Sequence, residues 1–516
     1  VRERLAIGSA PICVRQITEA AKNPVQIDLT EAARTRVAAA RTVVDAYAAG
    51  GAAVYGLNTG LGGNLGYRLE PAALEAFQVQ MIRGRTSGVG PAFAQPVARA
   101  QLLCRIIGLA QGGAGISPHV LEMMIAMFNR GVTPCIPGRG SIGAGDLGLC
   151  AHIGAVVIGR GQAWFGGRLL PGPQALAAAG ISPVVLGPKD GLGIVNSSAV
   201  SCGHAACVLA DLADLVVVAV VTAALSMEGY AANPGSFDAR SAAARPAGGQ
   251  VRAAAMFRQI LAGSYLYSVP ARAIQDALSF RVLSQIWGPA LAAFDTAVEA
   301  VTLDINAAAD NPLVLVDDGV ILSTGNFHTP AIALAFDSLA IALCHLAAAG
   351  LQRIIKLMDA RSSGLPKYLS PKGGASVGLN TLQKTAASLF AEIRLRATPA
   401  SLDSVPVSET VEDHAPNTPL TIRKLEEQLL PLRLLTAIEA LVAAQAVDLR
   451  GAPSLAPATA CLHAAIRAEV HMLGADREPG PDADIVNGLI ERPALLCTLR
   501  ACFAGLPLDP LLTGGH

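Results

Sequence analysis

Two stretches, residues 205–225 and 331–351, constrain this chain most. Each is a long apolar run suited to a helix, and each is broken by polar groups, Asp211 and Asp214 in the first, Asp337 and His345 in the second. A membrane span needs about 20 consecutive apolar residues, and acids inside one are costly. The runs therefore read as helices buried in protein. Composition agrees: 52% of residues are hydrophobic and the mean hydropathy is +0.45, yet aromatics make up only 4%, so alanine supplies much of the apolarity. Alanine-rich helices pack closely, which suits a bundle whose faces meet several neighbours, other subunits included. With 516 residues the chain can bury a large core. Its 39 basic and 39 acidic residues leave no charge excess to favour nucleic acid or an anionic membrane, so a small ligand is the expected partner.

The N-terminal residues Val1-Arg2-Glu3-Arg4-Leu5 contain no apolar signal core, and a cytoplasmic protein is expected. The ten cysteines are scattered. Cys202, His204 and Cys207 lie close together, but two further zinc ligands are wanting, and they read as buried residues of a helix; no metal site is expected. Helical spacing marks residues 32–49, 71–82, 98–110 and 118–129, with glycines and Arg85 ending the second of these. The stretch 54–64, carrying Tyr55, is too rich in glycine for regular structure; it suits either a lid or a long turn with the ring packed beneath. Trp164 to Leu170 reads as a short hairpin, 459–473 as a helix, and 478–484 as a turn.

A loop of small residues, Gly140-Ser141-Ile142-Gly143-Ala144-Gly145-Asp146-Leu147, follows Pro134 and Pro137 and opens into the apolar run 147–158. Its amides can approach a ligand closely, and Asp146 is a capping residue for the helix behind. Gly138, Gly140 and Gly143 satisfy a dinucleotide-type glycine spacing, but no βαβ pattern surrounds them, so that reading is rejected. Beyond the loop, Asn196 opens the long 199–224 run, and four polar islands interrupt the apolar patterns: 274–281, 309–328, 378–387 and 398–414. Polar groups at breaks between buried helices must satisfy one another or meet a ligand.

Seven segments then line up in order: Tyr55-Gly56 with Asn58-Thr59-Gly60; Gly140-Ser141-Ile142-Gly143 with Asp146-Leu147; Gln275-Asp276 with Ser279 and Arg281; Asp310-Asn311-Pro312-Leu313-Val314; Gly325-Asn326-Phe327-His328; Pro399-Ala400-Ser401 with Asp403-Ser404; and Glu412-Asp413-His414. Together they resemble the aromatic amino acid lyases, that is, histidine, phenylalanine and tyrosine ammonia-lyases and the related aminomutases. The resemblance implies a mainly α-helical protomer with a long central bundle, assembled as a homotetramer whose active sites draw on more than one subunit. We divide the chain into an N-terminal domain, 1–195, with lid and modified loop, a central bundle, 196–450, and a C-terminal helical segment, 451–516. By the same resemblance Tyr55 is the lid tyrosine and candidate base, Arg281 the clamp on a substrate carboxylate, and Asn196, Gln275, Asn326 and Gln383 polar lining. Glu412 is an acid or base if burial raises its pKa. Arg85 falls where the family sets side-chain selectivity, and pointed inward it favours an anionic substrate group.

The family's electrophile, methylidene-imidazolone, forms when an Ala-Ser-Gly tripeptide cyclises with loss of two waters. This chain has Ala144 and Gly145 with no serine between them, so Gly143, Ala144, Gly145 and Asp146 form a loop without the hydroxyl that dehydration requires. Leu278 also stands where the family places a catalytic tyrosine. The expectation is a lyase-type enzyme performing α,β-elimination or a related proton transfer on a small amino-acid-like carboxylate, without the cofactor. The alternatives are a conventional ammonia-lyase whose serine is absent only from the written sequence, and an inactive carboxylate-binding homologue.

Overall fold

A computed structural model describes residues 3–50, 54–59, 74–402 and 404–513. It is mainly helical, with only short strands, and divides into two units. One comprises residues 1–209, 297–336 and 399–423; the other comprises 210–296, 337–398 and 424–516. These units cut across the three consecutive segments drawn from the sequence. The helices Ala199–Tyr230, Leu283–Ile305, Pro330–Met358 and Thr418–Leu449 each contribute residues to both, and the remaining boundary, between Thr398 and Pro399, falls in a loop.

In the first unit the helix Gln95–Ala110 is enclosed on every side from Ala100 onward. It starts with proline in its first turn, where the missing N–H costs nothing, and from Ala100 onward its residues are small or apolar apart from Gln101 and Arg105. Arg105 is 1% exposed and is satisfied by the Ile194 carbonyl at 3.1 Å, the Gly193 carbonyl and Asp310 Oδ1 at 2.8 Å. That ion pair joins the core helix to the Asp310-Asn311-Pro312 segment and to the short helix Asp190–Val195 that leads to Asn196. Pro118–Arg130 stops at Gly131, whose positive φ of 80° is the left-handed conformation that glycine adopts without strain. The expected helices at 32–49, 98–110 and 118–129 are present as Glu31–Gly50, Gln95–Ala110 and Pro118–Arg130. The helix Leu74–Arg85 continues through Arg83 and Gly84, residues read as its end, and so carries Arg85 in its last turn.

The hairpin at 164–170 is present as Gln162–Phe165 with Arg168–Pro171, joined by Thr133–Pro134 into a three-stranded antiparallel sheet. Val89–Ala92 and Pro137–Arg139 pair antiparallel just ahead of the small-residue loop, so short strands do precede it, though in no βαβ arrangement.

In the second unit a fully enclosed ion pair joins two long helices: Arg353 Nε meets Glu439 Oε1 at 2.6 Å and Ser226 Oγ donates to the same oxygen at 2.8 Å. The C-terminal residues pack here as helices, Pro457–Glu469, Pro479–Ile490 and Pro493–Ala501. Residues 479–484, expected as a turn, instead begin a helix. Pro479 and Pro481 occupy its first turn, where proline is tolerated, and Asp482 complements the helix dipole there.

Three helices are long and apolar enough to cross a membrane by length and composition, among them Pro330–Met358 and Thr418–Leu449. The chain itself buries 78%, 56% and 83% of their most apolar windows, which makes them core elements of this fold. Cys202, His204 and Cys207 are all buried on Ala199–Tyr230, with the His204 ring edge-on to Phe93.

Replacing Arg105 by methionine leaves the Asp310 carboxylate buried without its cation. We expect a loss of about 3–5 kcal/mol, seen as a lower urea midpoint for unfolding, whereas Arg240→Met on the exposed Arg240–Asp238 pair shifts that midpoint little.

Candidate functional site: a closed loop of small residues

The loop at 140–146 is held from below by one carboxylate. Asp146 precedes the helix Leu147–Val157 but does not cap it with its side chain, contrary to the expectation from sequence. It is fully buried and turns to the next long helix: Oδ2 accepts from Ser201 N at 2.7 Å, and Oδ1 accepts from Ser201 Oγ at 3.1 Å and Ser141 Oγ at 2.7 Å. Its own amide donates to the Ser197 carbonyl at 2.7 Å. Burial raises the proton affinity of this carboxyl, and the three donors oppose that rise.

Above the carboxylate the loop is knit to two later segments. Ala144 forms an antiparallel bridge with His328, and Asn417 N donates to the Ile142 carbonyl at 2.8 Å. Gly143 (φ +84°) packs so tightly on the start of Thr418–Leu449 that a Cβ there would lie 2.8 Å from Thr418 N. Gly145 (φ +74°) is hemmed in likewise: a Cβ would lie 2.8 Å from Leu147 Cδ1 and 3.6 Å from both Asn196 Oδ1 and the Phe327 ring. Asn196 is buried and its amide donates to the Asn311 carbonyl.

Methylidene-imidazolone does not fit these residues. Its ring needs three consecutive residues with a serine in the middle, and Ala-Ser-Gly occurs nowhere in the sequence. Ser141, the nearest hydroxyl, accepts from Gly143 N at 3.1 Å and donates to Asp146, so it serves the loop's own geometry. The alternative triad Thr86-Ser87-Gly88 lies against the helix Leu147–Val157: a Cβ on Gly88 would meet His152 Nε2 at 2.8 Å.

Three of the residues singled out from the sequence converge in the first unit. Arg85 is half-buried, and its guanidinium has its pKa lowered by burial while the charges of Tyr55 and Glu412 oppose the fall. The charges of those two groups thus act on it. Tyr55 stands in a hydrogen-bonded turn at 54–59, where Val54 N donates to Asn58 Oδ1 at 2.7 Å and Gln78 Nε2 to the Gly56 carbonyl at 3.4 Å. Gln78 also accepts from Gly191 N at 2.9 Å, so the turn is anchored to the segment before Asn196. The rest of the expected lid, 60–64, lies outside the described residues, as does Asp403. Glu412 is exposed and accepts from Ser408 Oγ at 3.0 Å. Its use as an acid or base rested on burial, which this chain by itself does not provide. Asn326 is exposed on the turn before Phe327.

Gln275, Arg281 and Gln383 belong to the second unit. Arg281 donates to Gln275 Oε1 at 2.7 Å, and its Nε is enclosed with no hydrogen-bond partner among the described residues. The Arg353–Glu439 pair supports this turn through the Ser279 carbonyl, 3.2 Å from Arg353. Leu278, 59% exposed, opens the short helix Leu278–Arg281. Gln383 Nε2 donates to Met358 Sδ at 3.3 Å.

Two residues at the loop were not singled out from the sequence. The imidazoles of His328 and His414 share a hydrogen bond, Nε2 to Nδ1, of 2.7 Å. Both lie in segments that had drawn attention, but a histidine's partner 86 residues away leaves no local signal.

The chain matches the family model for aromatic amino acid lyase over residues 12–468. It is 38% identical to a histidine ammonia-lyase of Anaeromyxobacter sp. strain K, over 96% of this chain and 99% of that protein. A histidine ammonia-lyase of Symbiobacterium thermophilum is 36% identical, with 97% and 99% covered. Among solved structures, the ergothioneine-degrading enzyme ergothionase of Treponema denticola superposes with a TM-score of 0.92 at 33% identity, covering 96% of this chain and all of that one. Phenylalanine aminomutase of Pantoea agglomerans gives a TM-score of 0.90 at 28% identity, with 95% and 99% covered. With its fold, its ordered motifs and these relatives in agreement, the chain belongs to the aromatic amino acid lyase family and is a lyase.

Proposed function

We propose that this lyase carries out α,β-elimination on a small amino-acid-like carboxylate without a methylidene-imidazolone electrophile. The observation that carries the reading is the loop itself, in which Ala144 is followed directly by Gly145 and the space around Gly145 is taken by Leu147, Asn196 and Phe327. An elimination that lacks the electrophile needs a substrate whose nitrogen already leaves well. A quaternary ammonium group does: it departs as a neutral amine with the C–N electron pair. Ergothioneine, the molecule named for the Treponema denticola neighbour, is a trimethylammonium betaine with sulfur on its imidazole ring, and we take this betaine class as the substrate. Tyr55 would remove the β-proton and Arg85 would donate to the sulfur on the substrate's ring, while Arg281, by the family resemblance, would pair with the carboxylate. Assembly as a homotetramer is part of the proposal.

A second reading, a conventional ammonia-lyase acting on histidine, is favoured by identities of 36–38% to proteins named histidine ammonia-lyase. It requires a serine between Ala144 and Gly145. Intact mass separates the two readings: we expect the purified protein to weigh what its encoded residues weigh, and a deficit of two waters would establish the cyclised loop. Incubation with ergothioneine is expected to release amine and incubation with L-histidine to release none; the reverse pattern overturns our reading.

On the substrate that turns over, Tyr55→Phe should lower kcat by about 10²–10⁴-fold, the usual contribution of a positioned proton-transfer group. Arg281→Met should raise KM by about 10–100-fold, the equivalent of one charge-assisted hydrogen bond. Steady-state kinetics on refolding-competent variants checks both.

A further inference from the structure

We propose that His328 and His414 form a two-ring proton relay from the small-residue loop to solvent, a role that rests on the elimination reading above. The pair adjoins the loop, because the backbone of His328 is bridged to Ala144. It ends at the surface, because His328 is half-buried and His414 is exposed. Between them the 2.7 Å contact joins Nε2 of one ring to Nδ1 of the other, leaving Nδ1 of His328 and Nε2 of His414 as the two outer ends. The ring planes meet at 61° with centroids 5.0 Å apart, so the contact is an in-line hydrogen bond and not a stack.

The pair is not needed to hold its segments together. Thr418 Oγ1 donates to the Thr329 carbonyl at 3.1 Å, the two threonine hydroxyls meet at 2.9 Å, and Asn417 is tied to Ile142. Two imidazoles in direct contact do something those bonds do not, since each ring can accept a proton on one nitrogen while releasing one from the other.

In the elimination the substrate C–H bond breaks, its electron pair forms the C=C bond, and the amine leaves with the C–N pair. The proton set free must reach water before the next turnover. Starting with His328 protonated at Nε2 and His414 also at Nε2, arrival of a proton at Nδ1 of His328 sends its Nε2 proton to Nδ1 of His414. That ring then gives its Nε2 proton to solvent. Each ring gains one N–H bond and loses one, and both end neutral. Burial and the facing His414 lower the proton affinity of His328, which suits a group that passes a proton on.

The test uses the full chain with ergothioneine and L-histidine as probes. His328→Gln and His414→Gln keep a hydrogen-bonding side chain but cannot relay. We expect each to lower kcat about tenfold or more with KM little changed, and the double variant to be no slower than either single one. Imidazole in the buffer should restore activity to His414→Ala, whose vacated ring position is exposed. Thermal unfolding measured beside the kinetics identifies any variant whose loss comes from folding, and rescue of His414→Ala then decides. Unchanged kcat, or losses that multiply and do not respond to imidazole, overturns the relay while leaving the elimination reading intact. Turnover of neither probe by the parent chain overturns that reading and the relay with it.

Discussion

The buried carboxylate of Asp146 is the interaction on which the loop depends. An ionised carboxylate removed from water must find donors within the protein, and here three are supplied, two by Ser201 and one by Ser141. Those donors come from different places: the beginning of the long helix Ala199–Tyr230 and the loop's own first turn. Satisfying one charge thus fixes the position of Gly143, Ala144 and Gly145 relative to Asn196, and the Ile142 and Ala144 backbones extend the same constraint to Asn417 and His328. Because these bonds are internal, the loop keeps its shape without any modification of its residues.

That rigidity bears on the chemistry. In a loop with a serine between alanine and glycine, the backbone can close on itself and produce an electrophile. In this chain Ala144 is followed directly by Gly145, and Leu147, Asn196 and Phe327 pack around that glycine. The surrounding residues are those of a site all the same: a half-buried arginine under the charges of a tyrosine and a glutamate, a buried asparagine amide, an aromatic ring and a pair of hydrogen-bonded imidazoles. Such a set can orient an anionic substrate and move protons. On the reading proposed above, which does without covalent activation of a poor leaving group, the burden of leaving passes to the substrate.

Much of the helical framework was legible from spacing alone, because an apolar stripe with a proline at its start and a glycine after its end leaves few other conformations, as Pro118–Arg130 shows. The misreadings share a cause. Residues 479–484 look like a turn by composition, but proline and aspartate are also what a helix accepts in its first turn. Asp146 looks like a cap, but a donor from a distant helix competes for its carboxylate more effectively than its own amides do. Arg83 and Gly84 look like a stop, but the helix continues to Arg85, whose guanidinium feels the charges of Tyr55 and Glu412. In each case the local preference was permissive and a tertiary contact chose.

By itself the sequence determined the family and the mainly helical class, since ordered motifs and long alanine-rich runs survive without knowledge of contacts, and it determined that a serine is absent between Ala144 and Gly145. Only the tertiary structure decided that Arg85 is half-buried within reach of the charges of Tyr55 and Glu412, that Glu412 is exposed within the chain, and that His328 and His414 share a hydrogen bond. Those facts concern side chains brought together from segments far apart in the chain. Helical periodicity reports which face of a segment is buried, whereas the identity of the group across from it is set by how the segments pack.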